Sequence, residues 1–419
     1  MSEDFNALMN RSRRTVAVNG ELQHEAHRSL QLFLNCLSRI ASASRAGGLD
    51  VINTNATVCG HINSSSPLVS SWNIPELCNR LITKKLLIVG SHTTYKLHDL
   101  LLDSLPSGSR GSQFRCHSAA LCTWHEICSP FPPPLAEAAF SSERHRTPPR
   151  NLMNSAILRF ALSSTLYTGT LDEMTVQPFV SPLTGVREHV ALDWLDKAQR
   201  SDIVMITKEP VPAPAWSYMV SNWSDVDRGG RFTVRIPRPG SREWIRMQPF
   251  IDLVAISPGF PQGYGLVEAA WKATVVKWLP ELVETLLYLW NDNTMTTRET
   301  LFVWLGSSFI EEGCACQIKI KHQESQTDEH WLLDLLQQLG CEDRCIFENA
   351  QVYIQKILLT RILDKIGIVY IPEATSLQSL SYRSESPIFH ENGPSKSVNI
   401  FFQSLIAILR WHQDHVRRT

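Results

Sequence analysis

A strand-length apolar run, Lys85-Leu86-Leu87-Ile88-Val89, ends in Gly90 and is followed at once by Ser91, His92 and Thr93, with Tyr95 close behind. In a parallel α/β sheet, ligands bind at the carboxyl ends of the strands. Glycine lets the chain turn sharply there, and the helix that follows offers free N–H groups to an oxyanion or a phosphate. A hydroxyl at such a turn is placed to act as a nucleophile, and an imidazole as a general base. Ser91 and Thr93 supply hydroxyls. His92 supplies an imidazole, which could equally serve a bound alcohol or amine with no enzyme nucleophile at all. The plainer alternative is a strand-to-helix turn at Gly90 with Ser91 as its N-cap. After a second apolar run, Leu301–Trp304, Gly306 and Ser307 stand where a strand end presents backbone donors to an oxyanion. An ordinary turn accounts for them as well.

The elements that must position these residues read as an alternation. Strand-length runs at Leu86–Val89, Ile203–Ile206, Leu301–Trp304 and Ile368–Ile371 are interleaved with amphipathic segments at Thr93–Ser104, Leu192–Arg200, Gly265–Trp290, Gln351–Ile366 and Val398–Trp411. Pro280 should kink or split the third of these segments. Such alternation predicts βαβ units and one mainly parallel sheet covered by helices. A helical pattern from Leu22 to Ser42, then a Gly/Ser/Asn/Thr-rich stretch, makes residues 1–71 an N-terminal helix and linker ahead of an α/β domain over 72–419. Residues 130–150 and 210–261 are proline-rich and read as long loops. Trp216, Trp223 and Trp244 in the second could line a pocket, but pinning the loop to the core is the favoured reading. Gln351, Tyr353, Lys356 and Arg361 read as a solvated helical stripe.

Composition removes several classes. Forty basic side chains face 41 acidic ones, a net charge of −1, with no long basic run. A field that weak does not hold a nucleic-acid backbone, so nucleic acid is not expected as a partner, with tRNA left open. No apolar run is long enough to span a bilayer or follows the N-terminal arginines as an export signal would, so no membrane partner is expected and a cytoplasmic location is. The triplets opening at Asn10, Asn55, Asn63 and Asn222 are then chance matches to the glycosylation pattern. The ten cysteines show no dense framework, and reduced thiols without structural disulfides are expected. Cys116, His117, Cys122, His125 and Cys128 offer zinc-type ligands, but not as two separated pairs. No metal or other cofactor is expected.

The segment from Lys85 to Asp99 resembles the first block of fungal proteins related to the PC-esterase and trichome-birefringence-like group of the GDSL (SGNH) hydrolase-like superfamily. Further segments are similar in the same order: Cys122–Cys128, Ile157–Phe160, Asp202–Pro214, Trp304–Phe309 and Asn349–Tyr353. The resemblance spans Trp72 to Ile408 and rests on collinearity. It implies a three-layer α/β/α fold, SGNH- or flavodoxin-like, and transfer or hydrolysis of an acyl group. The group's Gly-Asp-Ser is replaced here by Gly90-Ser91-His92. Its Asp-x-x-His aligns with Pro387 and His390, so His390 fits the histidine and the acid is lost. Ser91, shifted by one position, with His390 as base is one arrangement that survives.

The expected function is acyl transfer in fungal specialised metabolism, transferase rather than esterase, from an activated acyl donor to a small-molecule acceptor. Its expected catalytic residues are Ser91, His92, Thr93 and His390, with Gly90, Tyr95, Gly306 and Ser307 binding substrate or an oxyanion. Two alternatives stand beside it: a non-catalytic binding or accessory protein, and an aminoacyl-tRNA-dependent amide-forming enzyme such as a cyclodipeptide synthase.

Overall fold

Leu86 to Val89 are apolar at every position, so this strand has no face to offer to water and belongs in the middle of a sheet. The computed structural model puts it there. It describes residues 21–45, 74–105, 115–118, 121–128, 155–163, 166, 194–211, 233–237, 250–254, 262–291, 300–307, 343–366, 368–372 and 396–416. In chain order the elements are α1 (Glu21–Arg45), α2 (Ile74–Leu81), β1 (Lys85–Gly90), α3 (His92–Ser104), β2 (Arg115–Ser118), β3 (Leu121–Ile127), β4 (Ala156–Leu162), α4 (Trp194–Gln199), β5 (Ile203–Ile206), β6 (Thr233–Pro237), β7 (Phe250–Val254), α5 (Gln262–Ala273), α6 (Leu279–Asn291), β8 (Leu301–Leu305), α7 (Asp343–Ile366), β9 (Val369–Ile371) and α8 (Lys396–Val416).

The chain is an α/β protein with a mixed, mostly parallel sheet in the order β2-β3-β4-β1-β5-β8-β9. β1 pairs in parallel with β4 and β5, β5 with β8, and β8 with β9, while β3 runs antiparallel to β4. All four expected strands lie in this sheet. Among the parallel strands the order by chain position is 2-1-3-4-5, so the connections reverse direction at β1, between β4 and β5. In open α/β sheets such a reversal marks the ligand-binding crevice, which here falls at the carboxyl ends of β1 and β5.

Two apolar cores form on the sheet. Val89, Ala161, Ile206 and Trp304 pack with α4, α5, α6 and α7. Ile88, Phe160, Met205 and Val303 pack with α1, α2, α3 and α8. The alternation along each strand assigns successive residues to one core and then the other. Between α5 and α6 the five residues Thr274–Trp278 form a π-helical turn. Pro280 follows directly; it lacks an N–H and its ring collides with the carbonyl four residues back, so the helix widens there and continues as α6.

Several expectations are corrected. The 210–261 excursion contains an antiparallel pair, β6 with β7, and is not loop throughout. β3, a strand not among the expected ones, takes in the zinc candidates Cys122 and His125. Cys78 on α2 and Cys128 just past β3 form a disulfide, Cα–Cα 5.2 Å, and Cys36 and Cys345 are also disulfide-bonded, so the expectation of reduced thiols fails. Fifty residues separate Cys78 from Cys128 in sequence. The antiparallel run of β3 carries Cys128 back to the amino-terminal edge of the sheet, where Thr83 N bonds Ser155 O at 2.8 Å. No spacing rule anticipates that return. The bridge lies at the end of the sheet opposite the crevice. Gln351, expected on a solvated stripe, is fully buried on α7.

α1 is tied to the far edge of the sheet. Gln31 on α1 accepts from Tyr370 N (3.0 Å) and donates to Tyr370 O (2.6 Å), pairing with β9 as another strand would. An open β-edge is thereby closed by one side chain.

Candidate active site

Gly90 ends β1 and Ser91 begins the turn into α3. The first helical bond, Tyr95 N to Ser91 O at 3.0 Å, makes Ser91 the N-cap residue by position. Glycine is required one residue earlier by space. A Cβ at Gly90 would collide with Thr207 Cγ2 and come within 2.5 Å of Thr94 Oγ1. The strand ends of β1 and β5 are packed that closely together.

This close approach brings a residue to Ser91 that the sequence reading did not select. The Ser91 hydroxyl, buried, donates a hydrogen bond to a carboxylate oxygen of Glu209, three residues past β5. The segment carrying Glu209 is anchored along its length. Thr207 N continues the ladder to Val89 O at 3.0 Å. Ser307 Oγ donates to Lys208 O at 3.0 Å. Gln351 on α7 pairs with both polar groups of Val211, accepting from its N–H and donating to its carbonyl, each at 2.9 Å. Glu209 is thus bracketed by fixed backbone on both sides, which is the condition for a functional group to hold its aim.

Beside it, the Lys208 ammonium is buried and pairs with Glu281 on α6 at 2.8 Å; Lys277 approaches the other oxygen of the same carboxylate at 2.9 Å. Burial pushes the Glu281 carboxyl up, but the attraction of Lys208 and Lys277 and their hydrogen bonds outweigh it and hold the group below the usual carboxylate range. Glu281 therefore keeps Lys208 satisfied in a place where an unpaired ammonium would be costly.

The residues singled out in the sequence fall in different places. Ser91 and Gly90 are at the crevice. Ser307 reaches it from β8, through its hydroxyl on the Lys208 carbonyl. Gly306 spends its N–H on Ile371 O at 2.8 Å, and a Cβ there would collide with the Pro372 carbonyl. Tyr95 packs with the α1/α2/α3/α8 core, stacked on His98 with ring centroids 5.0 Å apart and edge-on to Phe160, also at 5.0 Å. His92 and Thr93 lie in the first turn of α3, with side chains outside the described part of the structure, and His390 lies outside the described residues. Among the described residues no group of His, Cys, Asp and Glu could hold a metal ion, and Cys128, one of the zinc candidates, is committed to its disulfide. No helix among the described residues is long and apolar enough to cross a membrane.

Glu209 was findable in principle. Thr207-Lys208-Glu209-Pro210 follows a fully apolar strand directly, so its charged side chains stand at a carboxyl strand end, where ligands bind. What the sequence withheld was the strand order, without which β5 is not known to neighbour β1. Comparison with known proteins adds no further guide: no family model, no curated protein and no solved structure matches the chain.

Proposed function

We propose that the protein is an acyl-transfer enzyme in which Ser91 is the nucleophile and Glu209 takes its proton. One observation carries the reading. A buried serine hydroxyl donates to a carboxylate at the carboxyl-end crevice where the strand order reverses. In the first step Ser91 Oγ attacks the carbonyl carbon of an activated acyl donor, such as a thioester, and its proton passes to Glu209. Collapse of the tetrahedral species breaks the bond to the leaving group, which departs with that proton. An acceptor alcohol or amine then attacks the acyl-serine while Glu209 takes its proton, and Glu209 returns that proton to Ser91 Oγ as the serine ester bond breaks. The sheet order and the helices packed on both cores support the finer fold assignment, a three-layer α/β/α arrangement of the SGNH/flavodoxin kind. A small-molecule acceptor, rather than a polymer, a membrane or a nucleic acid, fits strand ends packed this closely and a chain this nearly neutral.

The location is proposed as one where the Cys78–Cys128 bridge persists. That bears against the reducing cytoplasm read from the sequence. Titration of free thiols in protein drawn directly from cells decides it.

A second reading has its own observation. Ser91 is only 4% exposed, which suits a structural hydrogen bond in a binding protein as well as a nucleophile awaiting substrate. A fluorophosphonate separates the two. Ser91 Oγ attacks phosphorus, the P–F bond breaks, fluoride leaves and the proton goes to Glu209. Mass mapping should find the adduct on Ser91 and lose it in Ser91→Ala. Absence of any adduct on Ser91 returns the protein to the binding class.

A further inference from the structure

Ser163 is fully buried, and its hydroxyl has no hydrogen-bond partner among the described residues. A sealed, unpaired hydroxyl costs about 1–3 kcal/mol, and natural structures keep few of them without a reason. Its position supplies one. Ser163 follows β4 directly, and its N–H bonds Gly90 O at 2.7 Å, extending the parallel register in which Gly90 faces Leu162. Ser163 is therefore the neighbour of Ser91 on the adjoining strand end, about one strand spacing of 4.8 Å away.

The two residues also share a side of the sheet. Val89 and Ala161 belong to the core under α5 and α6, while Ile88, Phe160 and Leu162 belong to the other. Two residues past Val89 is Ser91, and two past Ala161 is Ser163, so the period of two puts both toward α6. The same count from Ile206 reaches Lys208, and Lys208 does meet Glu281 of α6. The backbone next to Ser163 is held in an unusual form: Leu166, buried, has φ 55°, a left-handed conformation that a bulky residue adopts only when its surroundings impose it. Its N–H turns back to Ser163 O at 3.4 Å, and its carbonyl accepts from Thr285 Oγ1 of α6 at 3.4 Å. The backbone that carries the hydroxyl is thus held on both sides.

We infer that Ser163 donates its hydroxyl hydrogen bond to the oxygen of the acyl group carried at Ser91, stabilising the negative charge that develops there during attack. This rests on the reading of Ser91 as nucleophile. The unpaired donor is the resting form of that contact. Its cost is borne by the free protein and relieved when charge appears one strand away, a preorganised arrangement. Ser163 is then a residue in contact with substrate.

The test sets reactivity against stability in one variant. Ser163→Ala removes an unsatisfied polar atom, so the thermal midpoint should hold or rise. The rate of fluorophosphonate labelling at Ser91, followed by intact mass, should fall about 100-fold, the usual scale for one such donor. Labelling of Ser163→Ala at the wild-type rate overturns the inference and leaves Ser91 as nucleophile. A fall in labelling that comes with a lowered midpoint also overturns it, since the hydroxyl would then be structural. Wild-type protein that takes no label at Ser91 removes this inference and the acyl-transfer reading together.

Discussion

Two buried glutamines do the same local chemistry in two regions of this protein. Gln31 pairs with both backbone groups of Tyr370 on the edge strand β9, and Gln351 pairs with both groups of Val211 beyond the central strand β5. Each is a primary amide acting as a one-residue strand. The consequences differ because the neighbours differ. Next to Tyr370 is sheet edge, and the pairing seals it. Two residues before Val211 is Glu209, and the pairing fixes the partner of Ser91. An identical hydrogen-bond motif is therefore architecture in one place and positioning in the other, decided by what the clamped backbone carries.

Replacing either glutamine with leucine breaks the comparison open most strongly. Each change leaves a buried N–H and a buried carbonyl unpaired, at about 1–3 kcal/mol per group. Chemical denaturation should show a loss of roughly 2–6 kcal/mol for both. Fluorophosphonate labelling of Ser91 should slow only in Gln351→Leu. Equal slowing in the two variants would erase the distinction.

Glu281 sharpens the positioning side. Glu281→Gln removes the carboxylate that the buried Lys208 ammonium pairs with at 2.8 Å and should cost about 3–5 kcal/mol at neutral pH. The pH dependence has a definite sign. A carboxyl held below its unfolded value of about 4.3 contributes stability that is complete above that value and is lost as pH falls through the lower folded one. Acid titration of the folded fraction should therefore show wild type losing stability below about pH 4.3. Glu281→Gln should lack that component.

The disulfide belongs to the architectural side, at the end of the sheet away from the crevice. Cys78→Ser with Cys128→Ser should lower stability by about 2–4 kcal/mol while Ser91 labels at the wild-type rate in the folded protein. The smallest effect is expected at Arg410, half exposed, which meets Glu76 across α8 and α2. Arg410→Ala should cost no more than about 1 kcal/mol by thermal melt.

Much of this fold was legible in the sequence. The runs at 86–89, 203–206 and 301–304 are apolar at every position and of strand length, the pattern of strands buried on both faces. β4 was harder. Arg159 interrupts Ala156–Leu162, and the strand lies far from β1 in sequence while pairing directly with it. The edge strand β2 carries Arg and His, and β3 beside it mixes Thr, His and Glu with its apolar residues, so neither reads as a continuous apolar run. At the site, Gly90 and Ser91 were visible because the turn after β1 is a local feature. Glu209, Ser163 and Gln351 depend on strand order and helix docking, which are long-range facts. The buried glutamines mislead for the same reason: a Gln on an amphipathic helix looks solvated until a strand end is known to meet it.

The pairing of Ser91 with Glu209 is where the account is most exposed. Glu209→Gln keeps the side-chain length and an oxygen for the Ser91 hydroxyl, so the fold should be retained, yet the amide cannot take a proton. The rate of fluorophosphonate labelling at Ser91 should fall at least about 100-fold, the lower range for loss of a general base, with an unchanged thermal midpoint. Labelling of Glu209→Gln as fast as wild type would contradict the central claim.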